Sequence, residues 1–253
     1  MPQPPISGVI IAFNEQARIV RAVESLRPWC AEVLVLDSHS SDRTRELAES
    51  AGARVLLQEF LGHQAQKNRA IELARHDWIL SLDADEELVG DPANLLAALD
   101  FSRETLVYRI PRRNWYLGGW VDATGWKRDS SVRLFNRTKA RFGGSTVHDR
   151  AGGAGCEERV LPAQILHWPY RDLSHHLQKI DAYTSALAAE LDGRGARFSA
   201  LKLTLDPPWK FLKEYLLLGG WRLGWRGLVL SVMSAIYVFL KYAKLWERQR
   251  VGR

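Results

Sequence analysis

Cysteine is scarce in this chain of 253 residues: Cys30 and Cys156 are too few for a disulfide framework and match no zinc-binding spacing. A disulfide-stapled scaffold is thereby excluded, and a reducing, cytosolic compartment is the expectation. No segment repeats at a fixed period, and the 19 glycines and 10 prolines are scattered, which excludes solenoid and collagen-like architectures. The opening MPQPPISGVIIAF lacks the basic start and small-residue cleavage site of a secretory signal, and its apolar run is strand-sized. Neither G-x-G-x-x-G nor G-x-x-x-x-G-K-[ST] occurs, which argues against dinucleotide-dependent dehydrogenases and phosphate-loop enzymes.

What is present is ordinary globular composition, 46% hydrophobic and 25% charged, which excludes a disordered chain. The net charge of +6 is unevenly distributed. Residues 1–208 hold 26 Lys and Arg against 27 Asp and Glu, a net of −1, whereas residues 209–253 hold 9 against 2, a net of +7. Four of the ten tryptophans also lie in that tail. This composition break marks a boundary near Asp206-Pro207-Pro208, dividing a catalytic-sized domain (1–208, with halves 1–100 and 101–208) from a basic helical tail (209–253).

From residue 6 to 100, short apolar runs alternate with helical periods. Strands are expected at 8–13, 33–37, 54–58 and 78–83, with helices at 17–26, 42–51 and 64–74 between them. Three consecutive β-α-β units predict an α/β fold with a mainly parallel sheet covered on both faces. Ligands of such sheets sit beyond the carboxyl ends of the strands, which directs attention to Asn14-Glu15, Asp37-Ser38 and Asp83-Ala84-Asp85. Side chains of a strand alternate with period two, so at this strand end Asp83 and Asp85 are expected to point the same way and share one hard cation. The competing reading is a solvated acidic turn before a helix opened by Asp91 and Pro92. Asp37 has two comparable readings, a ribose ligand or a cap used by Ser40 or Ser41.

Residues 10–15 (IIAFNE), 37–44 (DSHSSDRT), Gln66-Lys67-Asn68 and Asp83-Ala84-Asp85, in this order, resemble the nucleotide-sugar domain of family 2 glycosyltransferases with the GT-A fold. Residues 111–114 (PRRN), 133–135 (RLF), 141–144 (RFGG), 147–149 (VHD), 167–172 (HWPYRD) and 237–247 (YVFLKYAKLWE) resemble one subgroup, the lipopolysaccharide-core beta-1,4-glucosyltransferases. The chain departs from the family pattern at Ala12, usually Thr, at His39, usually Gly, and at Asp149, usually Glu. The resemblance implies a Rossmann-like nucleotide-sugar half, an acceptor half, and inverting transfer of a hexose, glucose from UDP-glucose being favoured. It implies a divalent metal, Mg or Mn, on Asp83 and Asp85; His167 is read as the candidate third ligand, against the alternative of a hydrogen-bonded structural histidine. It implies donor contacts from Phe13, Asn14, Glu15, Asp37, Lys67, Asn68, Asp83 and Ala84, and Asp149 as the base that deprotonates the acceptor, with Asp122 and Asp129 as rivals. His148 is a further candidate for the metal or the diphosphate.

The aromatic, glycine-rich stretch 114–128 is read either as a platform stacking on sugar rings or as a hydrophobic loop folded on the sheet. Leu177, Ile180, Thr184, Leu187 and Leu191 mark the inner face of a scaffold helix capped by Ser174 and ended by Gly193. The fourteen uncharged residues 227–240 would span about 21 Å as a helix, short of a bilayer core, and their basic and aromatic flanks fit a helix lying in the membrane interface. The expected partners are therefore a nucleotide sugar, a lipid-linked oligosaccharide acceptor and the cytoplasmic face of a bacterial inner membrane, and not nucleic acid. The alternatives are a polyprenyl-phosphate sugar transferase, a metal-dependent nucleotidyltransferase, and a non-catalytic membrane or nucleic-acid-binding module.

Overall fold

The computed structural model describes residues 5–144 and 149–250. Its elements run β1 (Ile6–Ala12), α1 (Ile19–Leu26), β2 (Glu32–Asp37), α2 (Thr44–Ser50), β3 (Arg54–Leu57), α3 (His63–Leu73), β4 (Trp78–Asp83), β5 (Glu86–Val89) and α4 (Pro92–Ala98). Strands β6 (Leu106–Tyr116), β7 (Gly119–Trp120), β8 (Ser130–Asn136), β9 (Arg141–Gly144), β10 (Asp149–Gly152), β11 (Glu157–Val160) and β12 (Gln164–His167) follow. Helices α5 (Leu173–Gly193), α6 (Ala200–Leu212) and α7 (Trp225–Arg250) complete the chain. The described residues divide into two compact units, Met1–Arg112 with Asp129–His167, and Arg113–Arg128 with Trp168–Arg253.

In the first unit β3, β2, β1 and β4 lie side by side and parallel, as the β-α-β reading expects. Beyond β4 the sheet turns antiparallel through β8 and β6 and ends on β12 and β5. The apolar run of β2 explains its interior place between β3 and β1: Val33 and Val35 join the core on one face, Leu34 and Leu36 that on the other. Helix α1 buries Ile19, Ala22, Val23 and Leu26 on the first face, close enough that a Cβ on Gly8 would meet Leu26 Cδ1 at 3.0 Å and Cys30 Sγ at 3.1 Å. Helix α3 covers the second face with Ala70 and Ile71. Both cysteines are free, and burial pushes the Cys30 thiol far up, which keeps it inert. Asp91 caps α4 by accepting from the Ala93 N–H at 3.0 Å, with Pro92 in the first turn, as expected.

In the second unit the structure departs from the sequence reading in three places. Asp172, not Ser174, caps α5, because its carboxylate reaches the His175 N–H at 2.7 Å. The inner face of α5 is His176, Ile180, Thr184 and Ala188, while Leu177 stays exposed. Pro207 and Pro208 lie inside α6, which runs through the expected break, although each proline removes a helix hydrogen bond. A π-helical turn (Lys213–Leu217) and a short 3-10 turn (Gly220–Leu223) then lead into α7, which packs along α5 and α6. With 26 residues, α7 is the one described helix long and apolar enough to cross a membrane by length and composition. Its helical span exceeds the uncharged run because Lys241 and Lys244 continue the helix.

His176 sits against Tyr170, ring centroids 3.8 Å apart, with Nδ1 2.9 Å from the Tyr116 hydroxyl. Burial, reinforced by His175 and Lys179, lowers its pKa from 6.5 to about 4. Because the folded pKa is depressed, the unfolded chain takes up the proton first on acidification. The stability that His176 contributes is complete above about pH 6.5 and is lost as the pH falls towards 4. Melting curves at about pH 7 and pH 5 are expected to show wild type losing on the order of 1 kcal/mol more than His176→Phe. Equal losses would refute it.

Candidate active site

The strand order β3-β2-β1-β4 places the carboxyl ends of β1, β2 and β4 together, which is where open α/β sheets bind ligands. Here β1 runs into Phe13 and Asn14, β2 ends on Asp37, and β4 ends on Asp83. The loops after β1 and β2 are laced together. The Asn14 N–H donates to Ser40 Oγ at 2.9 Å, its Oδ1 accepts from the Ser41 N–H at 2.9 Å, and the Glu15 N–H donates to Thr44 Oγ1 at 2.8 Å. Asn14 takes φ 54 and His39 φ 61, the left-handed region that glycine adopts most readily, which accounts for glycine being usual at the second position. Asp37 is fully buried and accepts both the Ser40 N–H, at 2.8 Å, and the Ser40 hydroxyl. Phe13 projects 59% exposed from the same edge.

Asp83 is not aimed with Asp85 by strand periodicity, because β4 stops at Asp83 and residues 84–85 form the turn into β5. One Asp83 oxygen meets Lys67 Nζ at 2.8 Å and the other Arg133 Nη2 at 2.9 Å. Burial by itself would raise the Asp83 pKa, but the Lys67 and Arg133 charges hold it well below the usual carboxylate range. Asp85 faces a different partner. Strand β12 pairs with β5 in a register that sets His167 opposite Glu86, and His167 Nε2 lies 3.6 Å from Asp85 Oδ1. Ala84, between the two acids, is buried.

Glu86 is the residue that sequence reasoning passed over. Its side chain is wholly buried, Oε1 accepting from Arg133 Nη2 at 2.6 Å and Arg112 Nη1 at 3.0 Å while Oε2 accepts the Asp83 N–H at 3.0 Å. Arg112 also pairs with Asp129 at 2.8 Å. The signal was available: an arginine inside the apolar run Val132-Arg133-Leu134-Phe135 has to be buried and therefore paired.

The remaining candidates sort as follows. The Asn68 amide accepts from the Phe142 N–H and donates to its carbonyl, both at 3.0 Å, so in this conformation it holds β9. Lys67 lies 5.1 Å from the Phe142 ring centroid in addition to its bond with Asp83. Asp122 forms a two-bond pair with Arg113, at 2.8 and 2.6 Å, which lowers its pKa. Asp149 begins β10 opposite Gly144, its side chain lying outside the described residues together with residues 145–148 and therefore His148. In the aromatic stretch, Trp120 contacts Trp115 and Trp168, ring centroids 5.0 and 5.5 Å away, and Arg113 lies 5.3 Å from the Trp120 ring centroid.

An open α/β sheet with acids gathered at its strand ends, and a match of residues 7–156 to the family model "Glycosyl transferase family 2", define the class: the chain belongs to that family and is a glycosyltransferase of GT-A fold. Its relatives include the lipopolysaccharide core biosynthesis glycosyltransferase LpsC of Rhizobium meliloti, 31% identical over 98% of this chain and 94% of that one. An uncharacterized glycosyltransferase of Rickettsia typhi is 31% identical over 96% and 87% of the two chains. A solved structure of glucosyl-3-phosphoglycerate synthase from Mycobacterium tuberculosis, in complex with Mn2+ and UDP-glucose, aligns at 25% identity and a TM-score of 0.36, covering 44% of this chain and 43% of that one.

Proposed function

We propose that this glycosyltransferase is a metal-dependent, inverting hexosyltransferase that moves glucose from UDP-glucose onto a lipopolysaccharide or lipooligosaccharide core at the cytoplasmic face of the bacterial inner membrane. The observation that carries the reading is the approach of Asp85 and His167, 3.6 Å apart, beside the neutralised Asp83 at the end of the parallel strands. The near-full-length likeness to LpsC supports a core acceptor.

A carboxylate oxygen and an imidazole nitrogen are donors that Mn accepts readily and Mg less so. Among the described residues no three acidic, histidine or cysteine side chains form a complete cation site, so diphosphate and water oxygens would fill the other positions. The cation, when bound, would supply Lewis acidity against the charge growing on the departing nucleoside diphosphate. This chain's own residues do the rest. Lys67 and Arg133 cancel the Asp83 charge, which would otherwise repel a diphosphate, and the laced loops carrying Asn14 and Asp37 shape the nucleoside edge. Inversion needs one carboxylate to take the acceptor proton. Asp122 and Asp129 are engaged by Arg113 and Arg112, which favours Asp149 for that role.

The test is a panel of nucleotide sugars with Mn or Mg, measuring released nucleoside diphosphate with and without a lipid A core acceptor. Release of UDP from UDP-glucose, accelerated by the acceptor, is expected; release of pyrophosphate instead, or no turnover of any donor, defeats the proposal. Asp149→Asn should bind UDP as wild type does while transfer falls about a hundredfold. Transfer retained in that variant would move the base to Asp122 or Asp129.

A further inference from the structure

The uncharged run 227–240 lies in α7, where Gly227, Leu230, Ser231 and Met233 are buried. A denser row of exposed apolar side chains lies on α6 and the π-helical turn after it. Leu201, Leu205, Trp209, Leu212 and Leu216 are all exposed, Leu201 at 67% and Trp209 at 57%. Their steps of 4, 4, 3 and 4 residues set them within an arc of about 80° on a helix. The buried members of the same stretch, Pro207 and Glu214, fall on the opposite side by the same arithmetic. The outward face is therefore leucine and tryptophan, the reverse of an amphipathic helix on a soluble surface.

Charge decides what covers this face. Exposed Lys202 and Lys213 border the row, the turn that follows carries exposed Trp221, with the Arg222 guanidinium 5.3 Å from its ring centroid, and exposed Trp225 opens α7. A second copy would bring the +7 of residues 209–253 against another +7, whereas an anionic bilayer attracts it. Aromatic and basic side chains around an apolar row match the boundary between lipid headgroups and acyl chains.

We propose that α6 and its π-helical turn lie flat on an anionic bilayer with the Leu201-to-Leu216 row inserted, and that α7 supports them from the protein side. This deepens the membrane-face reading given above and rests on it. Helix α7 exposes a sparser row, Trp225, Val232, Phe239 and Trp246, one residue in every seven, which provides the comparison.

The full chain is sedimented with phosphatidylcholine vesicles with and without phosphatidylglycerol. Wild type is expected to pellet with the anionic vesicles. The double variant Leu205→Asp, Leu212→Asp should partition about tenfold or more weakly, whereas Val232→Asp, Phe239→Asp stays near wild type. Unchanged release of UDP from UDP-glucose with detergent-dispersed acceptor shows the α6 variant to be folded. Wild type that pellets with no vesicle overturns the membrane reading and this inference with it. Wild type that pellets while the α6 variant pellets equally, or a loss seen only in the α7 variant, overturns the assignment to α6 alone. A wild-type dimer that the α6 variant dissociates, without vesicle binding, would make a second copy the occupant and refute the proposal.

Discussion

Asp85→Asn is expected to lower sugar transfer about a thousandfold, roughly 4 kcal/mol of transition-state stabilisation, with a melting temperature within about 2 °C of wild type. Asparagine keeps the size of the side chain and a carbonyl oxygen but removes the charge. Asp85 lies in a turn between β4 and β5 at the strand ends, not in the packed core of the sheet, so the charge can be removed without opening a cavity. If Asp85 and His167 jointly hold a cation, Mn binding in the presence of UDP, followed by titration calorimetry, should weaken in parallel with transfer. Transfer within tenfold of wild type, with Mn binding unchanged, would falsify the role.

Glu86→Ala should act on stability first, lowering the melting temperature by about 10 °C. Lys67, Arg112 and Arg133 meet Asp83, Glu86 and Asp129 in one network, three positive charges against three negative. Glu86 touches two of the arginines, Arg112 and Arg133, and it also holds the Asp83 N–H. Removing it leaves Arg133 buried against Asp83 alone, and breaking a buried pair from one side costs about 3–5 kcal/mol, equivalent to roughly 2–4 °C per kcal/mol in a chain of this size. Burial works to lower the Arg133 pKa, but the negative charge of Glu86, followed by that of Asp83, outweighs it and raises the pKa, so the cation persists throughout the accessible pH range. Glu86→Gln retains an acceptor for the Asp83 N–H and should lose less. A Glu86→Ala melt within about 2 °C of wild type would show the network to be dispensable.

The pH dependence separates this network from the buried histidine. Asp83 has a depressed pKa, so its contribution is complete above its ordinary value of 3.8 and is lost only as the pH falls below that. Acid sensitivity between neutral pH and about 5 therefore belongs to His176 in the second unit, not to Asp83.

The parallel half of the fold was legible in the sequence because the apolar runs of β1, β2 and β4 are buried on both faces, and that requirement writes itself into consecutive residues. The acids at the strand ends were legible for the same reason, since a strand end is a position along the chain. Helix α5 was legible in extent but not in face, because His176 and Ala188 turn inward where Leu177 was expected, and an amphipathic period fixes the spacing of a buried stripe more firmly than its centre.

By itself the sequence determined the α/β class, the family and the loops that carry the candidate site, all of which depend on local pattern and order along the chain. Tertiary structure alone decided that Asp83 answers to Lys67 and Arg133 while Asp85 answers to His167, and that Glu86 ties the network together. Those pairings join residues as many as 82 positions apart, from Asp85 to His167, and a charge selects its partner by distance in space, which the packing and sheet register set and sequence spacing does not.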